Sequence, residues 1–271
     1  MDIRVSAWNH AIFTRKSRRS FQPGRPIEPE TFDQLERLCR EFRPFPGVRV
    51  ELVRRPPDDV FRGFVGGYGK ITGARAYLVF IGEGILPETP ARLGYVGEAA
   101  ILEATALGLS TCWVAGFFKS DAVAADIQIA PCERIYAVSP LGYAEGSITA
   151  KEKLYSGLSG SKSRRVSSTL VISGTPDEWQ KAAFEAARLA PSAVNRQPWR
   201  FVFEPGRITI RVDGTEDGAK IPKRLDCGIA MLHVEIAARA AGIDGKWEFL
   251  PLPDVARFER NGSERSASDL T

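Results

Sequence analysis

The chain has 271 residues, 44% of them apolar and 26% charged, and a formal net charge of +4. That is ordinary globular composition, enough for one large domain or two closely packed ones. No run of about 18 apolar residues marks a membrane-spanning helix, the start Met1-Asp2-Ile3-Arg4-Val5 lacks the apolar region of a secretory signal, and so small an excess of positive charge does not by itself indicate nucleic acid.

A cytoplasmic protein is the expectation. Cys39, Cys112, Cys132 and Cys227 are scattered without a Cys-x-x-Cys pair and read as small core hydrophobes. With only His10 and His233, a His-rich metal centre or a Ser-His-Asp triad is not expected, and His233 reads as a packed residue of an apolar helix.

In chain order, the first marked feature is Arg15-Lys16-Ser17-Arg18-Arg19-Ser20-Phe21. One helical turn between Arg15 and Arg19 would let them converge on an anion. Pro29 suits the first turn of a helix from Ile27 to Cys39, with the stripe Phe32, Leu35 and Leu38. Strands follow at Val48 to Val53 and Tyr77 to Ile81, around a flexible Gly66-Gly67-Tyr68-Gly69 loop.

A helix from about Arg92 to Leu107 should end on Gly108 as its C′ residue. Thr111 to Phe117 reads as strand and loop, and Ile135 to Val138 as another strand. The Ser-, Gly-, Lys- and Arg-rich stretch from Ala144 to Thr169 reads as a linker. It divides the chain into a first half, 1–145, a linker, 146–170, a second half, 171–260, and a polar, frayed tail, 261–271.

The second half opens on Thr175-Pro176-Asp177-Glu178, the spacing of a capping box with Pro at N1. Its helix turns Trp179, Ala183, Ala186 and Leu189 inward and delivers the loop Ala190-Pro191-Ser192-Ala193-Val194-Asn195-Arg196-Gln197-Pro198-Trp199. Two prolines stiffen that loop, and Asn and Gln each offer a donor and an acceptor. This suits the edge of a planar heterocycle; taken alone, the pattern reads first as a turn with polar decoration. A hairpin over 201–212, a helix from Gly228 to Ala241 and a strand carrying Trp247 complete the half.

Taken together, Arg15, Ser17, Arg19 and Phe21 with Pro191, Ser192, Asn195, Gln197, Pro198 and Trp199 resemble the flavin-dependent nitroreductase family. Gly97-Glu98 at a helix start, the run to Gly108-Leu109, Thr111 to Phe117 and Leu141-Gly142-Tyr143 fit the same family. The resemblance implies an FMN site. Arg15, Lys16, Ser17 and Arg19 would hold the phosphate and ribityl chain, helped by Lys151 and Lys153 if these are not simply solvated. Pro191, Ser192, Asn195 and Gln197 would lie against the ring, and the backbone of Ala115, Gly116 and Phe117 would reach its N5–O4 edge.

Family members usually carry the arginine motif and the ring loop about one helix apart. Here Arg15 and Asn195 are 180 residues apart, and Glu41-Phe42-Arg43-Pro44-Phe45-Pro46 stands where the loop would normally follow. An internal repeat accounts for this. A shift of 134 residues places Gly94 on Gly228, Ala104 on Ala238, Gly108 on Gly242 and Trp113 on Trp247. Family members are usually homodimers with FMN at the subunit interface.

The expected fold is therefore α+β and nitroreductase-like, with two homologous halves forming a pseudo-dimer within one chain. One FMN would sit between a phosphate motif from one half and a ring loop from the other, in a monomer or a further dimer. The implied activity is ping-pong hydride transfer from NAD(P)H to nitroaromatic- or quinone-like acceptors. The flavin carries the chemistry, with no catalytic acid or base and no metal. Two alternatives stay open: a flavin-binding protein of this fold with a non-reductase role, and a relic that no longer binds FMN.

Overall fold

A computed structural model describes residues 1–62, 70–84, 86–146, 163–214 and 221–262. The first part of the chain forms α1 (Val5–Thr14), α2 (Pro29–Glu41), β1 (Val48–Val53), β2 (Ala76–Glu83), α3 (Thr89–Ala106), β3 (Ser110–Thr111), α4 (Ser120–Ala124) and β4 (Glu133–Gly142). The remainder forms α5 (Ser167–Leu170), β5 (Val171–Ser173), α6 (Glu178–Arg188), a 3-10 turn (Ala193–Asn195), β6 (Trp199–Glu204), β7 (Arg207–Val212), α7 (Lys223–Ala240), β8 (Gly245–Phe249) and β9 (Asp254–Arg260).

The fold is α+β, and one arrangement occurs twice. The first sheet runs β1-β2-β4-β3 and the second β6-β7-β9-β8, antiparallel throughout, with β5 added parallel at the outer edge of β6. The central helices α3 and α7 have the same length and keep an offset of 134 residues at both ends, Thr89 to Lys223 and Ala106 to Ala240.

Both central helices close alike. Gly108 and Gly242 adopt φ of +81° and +76°, and the next residue's N–H returns to the helix, Leu109 to Ala104 O at 2.8 Å and Ile243 to Ala238 O at 2.9 Å. Left-handed backbone at these ends is why glycine stands there.

α3 and α7 cross against each other at glycine. A Cβ on Gly94 would meet Leu225 O at 2.1 Å, and one on Gly228 would meet Ala91 O at 1.9 Å. These two contacts exchange under the same offset, the reciprocity of a twofold interface. The crossing and the inner sheet faces form one continuous core, which includes Leu78, Phe80, Ile101, Phe201, Ile210 and Ile236. Alternate residues of β2, Tyr77, Val79 and Ile81, face a smaller cluster with Val60, Phe61 and Val123.

Several expectations shift. α1 had no clear sequence signal, and α3 begins at Thr89, so Gly97 and Glu98 lie in mid-helix. The capping box is closed by Asp177 and Gln180, because the Asp177 carboxylate accepts from Gln180 N while the Gln180 side chain accepts from Asp177 N. Pro176 therefore precedes the cap.

The C-terminal end of the expected linker is built into the fold: Leu170 is fully buried and α5 leads directly into β5. Cys132 is exposed, whereas the other three cysteines are buried; burial pushes the Cys39 thiol up to about 12. Asn261 is tied by its N–H to Asp244 O at 2.8 Å. The Gly66–Gly69 loop, most of the linker and the tail beyond Gly262 lie outside the described residues.

Candidate flavin site at the seam of the two halves

α1 ends at Thr14, and Arg15 leaves it in extended conformation, φ −56° and ψ 132°. Arg15 and Arg19 are therefore not one helical turn apart. The segment instead threads between neighbours as an extended strap. Arg18 N donates to Thr111 O at 2.8 Å, Phe21 N to Thr72 O at 2.9 Å, and Gln22 N to Tyr143 O at 2.9 Å.

Extended backbone alternates its faces. Arg18 turns inward, 8% exposed, and caps Glu145 O at 2.9 Å and Gly146 O at 3.3 Å. Lys16 and Ser17 face solvent, and Arg19 is half-buried. Arg15 Nη1 reaches Ser17 Oγ at 3.4 Å. The Arg15 side chain is only 7% exposed and its Nε lies 3.8 Å from Glu98 Oε1; that Nε has no hydrogen bond.

The loop after α6 is the most strained stretch among the described residues. Val194, Asn195 and Gln197 have φ of +47°, +55° and +48°, the only non-glycine residues there with positive φ. Left-handed backbone costs a non-glycine residue about 1–2 kcal/mol, and strain of this kind gathers at functional loops. Asp226 in the first turn of α7 holds the loop from beneath, accepting from Ala193 N at 3.1 Å and Arg196 Nε at 2.7 Å. Ser192 Oγ accepts from Gln197 N at 3.0 Å.

A short strap, Ser163 to Arg165, crosses the loop. Ser163 O accepts from Asn195 Nδ2 at 2.9 Å and Gln197 Nε2 at 3.2 Å, and Arg165 N donates to Gln197 Oε1 at 3.0 Å. The Gln197 amide, 3% exposed, thus closes the loop internally. Arg164 donates to Asn195 Oδ1 at 3.2 Å and to Leu189 O at 3.0 Å.

Sequence reasoning missed Arg164; its only signal was the basic run Lys162-Ser163-Arg164-Arg165. Burial and the neighbouring charges of Arg15 and Arg188 push its guanidinium down to about 10. The seam therefore brings together Arg15 and Ser17 from one half, Arg164 from the linker and Asn195 from the other half, and the charges acting on Arg164 there are those of Arg15 and Arg188. Arg15 Nε and Arg164 together fit an anion such as a phosphate monoester.

The third expected segment joins through Trp113. Its ring stacks on Phe80 at 4.0 Å and sits over Gly97, where a Cβ would meet it at 2.5 Å. Its Nε1 donates to Glu98 Oε2 at 2.7 Å. Ala115 follows at the core boundary. Gly116 turns at φ +87°, with nothing within 4 Å of the point a Cβ would occupy. Phe117 is 40% exposed. Pro191 and Ser192 are half-buried. Lys151 and Lys153 lie outside the described residues.

Among the described residues, no group of three His, Cys, Asp or Glu side chains could hold a metal ion, and no helix is long and apolar enough to cross a membrane. A groove of about 480 Å³ beside β1 is lined by Arg49, Glu51 and Asp126. Those side chains are engaged in ion pairs, Arg49 with Glu51 and Glu133 and Asp126 with Arg55.

The family model described as "Putative TM nitroreductase" matches residues 8–238. A "putative nitroreductase" of Thermotoga maritima is 20% identical over 94% of both chains, with a TM-score of 0.62. A nitroreductase family protein of Clostridium difficile is 18% identical, covering 65% of this chain and 100% of its own, with a TM-score of 0.46. An FMN-dependent nitroreductase of the same organism is 14% identical over 51% and 87%, with a TM-score of 0.42. No curated protein matches the sequence. The match to the family model spans most of the chain, and on that ground the chain belongs to the nitroreductase family.

Proposed function

We propose that this protein is an FMN-dependent oxidoreductase that accepts hydride from NAD(P)H and passes reducing equivalents to flat acceptors such as nitroaromatics or quinones. The observation that carries this reading is that Arg15, whose Nε keeps no hydrogen bond, and Arg164, which donates to Asn195 Oδ1, lie near enough at one strained seam for their like charges to act on each other. When bound there, FMN would supply the hydride chemistry itself.

The chain's own residues bind and orient. Arg15 and Arg164, with Ser17 and Arg19, would hold the phosphate by charge-assisted hydrogen bonds. The rigid Pro191–Gln197 loop and the Ala115–Phe117 backbone would flank the ring. Halves 1–145 and 171–260 would be copies of one unit, so that a single chain builds one site.

The test is the absorption spectrum of purified protein, with released FMN counted per chain. One FMN per chain, bleached by NADH or NADPH and restored by an acceptor, supports the reading. Bound flavin that neither nucleotide bleaches would leave a binding protein, and a chain that takes up no FMN would be a relic. Light scattering with flavin absorbance at sub-micromolar protein tests the single-chain site. A yellow monomer supports it, and flavin lost in step with dissociation of an oligomer overturns it.

A further inference from the structure

Glu98 and His233 are both fully buried where α3 meets α7. Burying a carboxylate and an imidazole is costly unless something compensates. The repeated fold provides an internal control. Under the 134-residue offset that relates α3 to α7, Glu98 corresponds to Leu232 and His233 to Ala99, and both of these are also fully buried. The equivalent place across the crossing is thus filled by leucine and alanine. The fold alone does not require a polar pair there.

The pair sits at the junction of the site's parts. Glu98 Oε1 faces His233 Nε2 at 3.1 Å and Arg15 Nε at 3.8 Å, while Oε2 accepts from Trp113 Nε1 at 2.7 Å. His233 Nδ1 lies 2.9 Å from Ala186 O, which can only accept, so Nδ1 carries a proton. Ala186 belongs to the helix that delivers the strained loop.

Arg15 is pressed by the like charge of Arg164. Among the described residues Glu98 is the one carboxylate at ion-pair distance from it. Without that counter-charge, a nearly buried guanidinium beside another would leave for solvent.

We propose that Glu98, seated on His233, is a positioning residue of the flavin site that holds Arg15 toward the cofactor phosphate. This rests on the FMN reading above. The experiment titrates FMN and riboflavin, which lacks the phosphate, by flavin fluorescence into the full chain. Glu98→Gln keeps an oxygen for Trp113 and an amide for His233 but removes the charge.

In Glu98→Gln, FMN affinity is expected to fall about tenfold and riboflavin affinity to hold within about twofold. Adding Glu98→Gln to Arg15→Ala should cost nothing further, since both act on one contact. A second variant, Glu98→Leu with His233→Ala, places the residues of the opposite side at these two positions; because Trp113 Nε1 then loses its acceptor, it should still fold cooperatively with a modestly lower Tm. Unchanged FMN affinity, equal losses for both flavins in Glu98→Gln, additivity with Arg15→Ala, or collapse of the double variant would each overturn the proposal. If the unsubstituted chain binds neither flavin, the FMN reading itself fails, and this inference goes with it.

Discussion

Two carboxylates flank the α3–α7 crossing, and their surroundings differ. Glu235 accepts from Tyr95 Oη at 2.7 Å, Trp247 Nε1 at 2.9 Å and Arg239 Nη2 at 2.8 Å. Its oxygens are saturated with donors. Beside it Phe45 packs edge-on against Tyr95 at 5.1 Å and Phe249 at 5.0 Å. Phe45 belongs to the loop between α2 and β1, the counterpart of the ring loop between α6 and β6, and Phe249 is the 134-residue counterpart of Ala115.

On the other side Glu98 accepts from a tryptophan in the same manner, but the arginine beside it keeps an unused Nε, and a strained polar loop takes the place of the aromatic cluster. One arrangement thus produces a seam closed by aromatic packing and another in which an arginine Nε is left without a hydrogen bond.

The crossing common to both seams should be the least tolerant point. Gly228→Val places a branched side chain against Ala91 O, which a Cβ alone would approach at 1.9 Å. We expect a loss of more than about 3 kcal/mol, seen as failure to reach a soluble, cooperatively melting state; a native-like Tm would show that the helices can separate without cost.

Phe45→Ala should cost about 2–3 kcal/mol of stability by leaving a cavity in the closed seam, read by urea denaturation, while FMN stoichiometry stays at one per chain. Two FMN per chain would mean that the closed seam is a working site. Arg15→Ala should cost about 1.5–3 kcal/mol of FMN affinity, about ten- to a hundredfold, with little change in the Tm of the flavin-free protein; the reverse pattern would make Arg15 a structural residue.

The tryptophans separate the seams more gently. Trp113→Phe and Trp247→Phe each remove one hydrogen bond to a buried carboxylate, about 1 kcal/mol or somewhat more, and both should lower Tm. Only Trp113→Phe should also alter the bound-flavin spectrum. The smallest effect is expected for Val194→Gly. Relief of left-handed strain and the added backbone entropy of glycine nearly cancel, so Tm should move by only a few degrees, whereas FMN affinity should fall as the loop loses its fixed shape.

Much of the fold was legible in residues whose effect is local. Gly108 and Gly242 mark helix ends because left-handed backbone favours glycine, and Pro29 marks a helix start because its missing N–H would have no partner there. The Pro191–Trp199 loop was legible as a special segment from its prolines and amides.

Its partners were not, because Ser163 to Arg165 and Asp226 reach it through folding and leave no local pattern. The extended path of Arg15–Phe21 was likewise hidden. Thr111, Thr72 and Tyr143 dictate it through their backbone carbonyls, and backbone partners carry no side-chain signature.

By itself the sequence determined the family, the repeat of helix, glycine and tryptophan, and the separation of the arginine motif from the ring loop. These are written in residue types and spacings, which local backbone preference and patterning translate directly. Only the tertiary structure decided that Gly94 and Gly228 face one another, that Phe45 closes one seam, and that Arg164 and Glu98 flank Arg15 in the other. Those outcomes depend on which side chains remain unsatisfied once two helices and two sheets have packed, and that balance exists only in the folded chain.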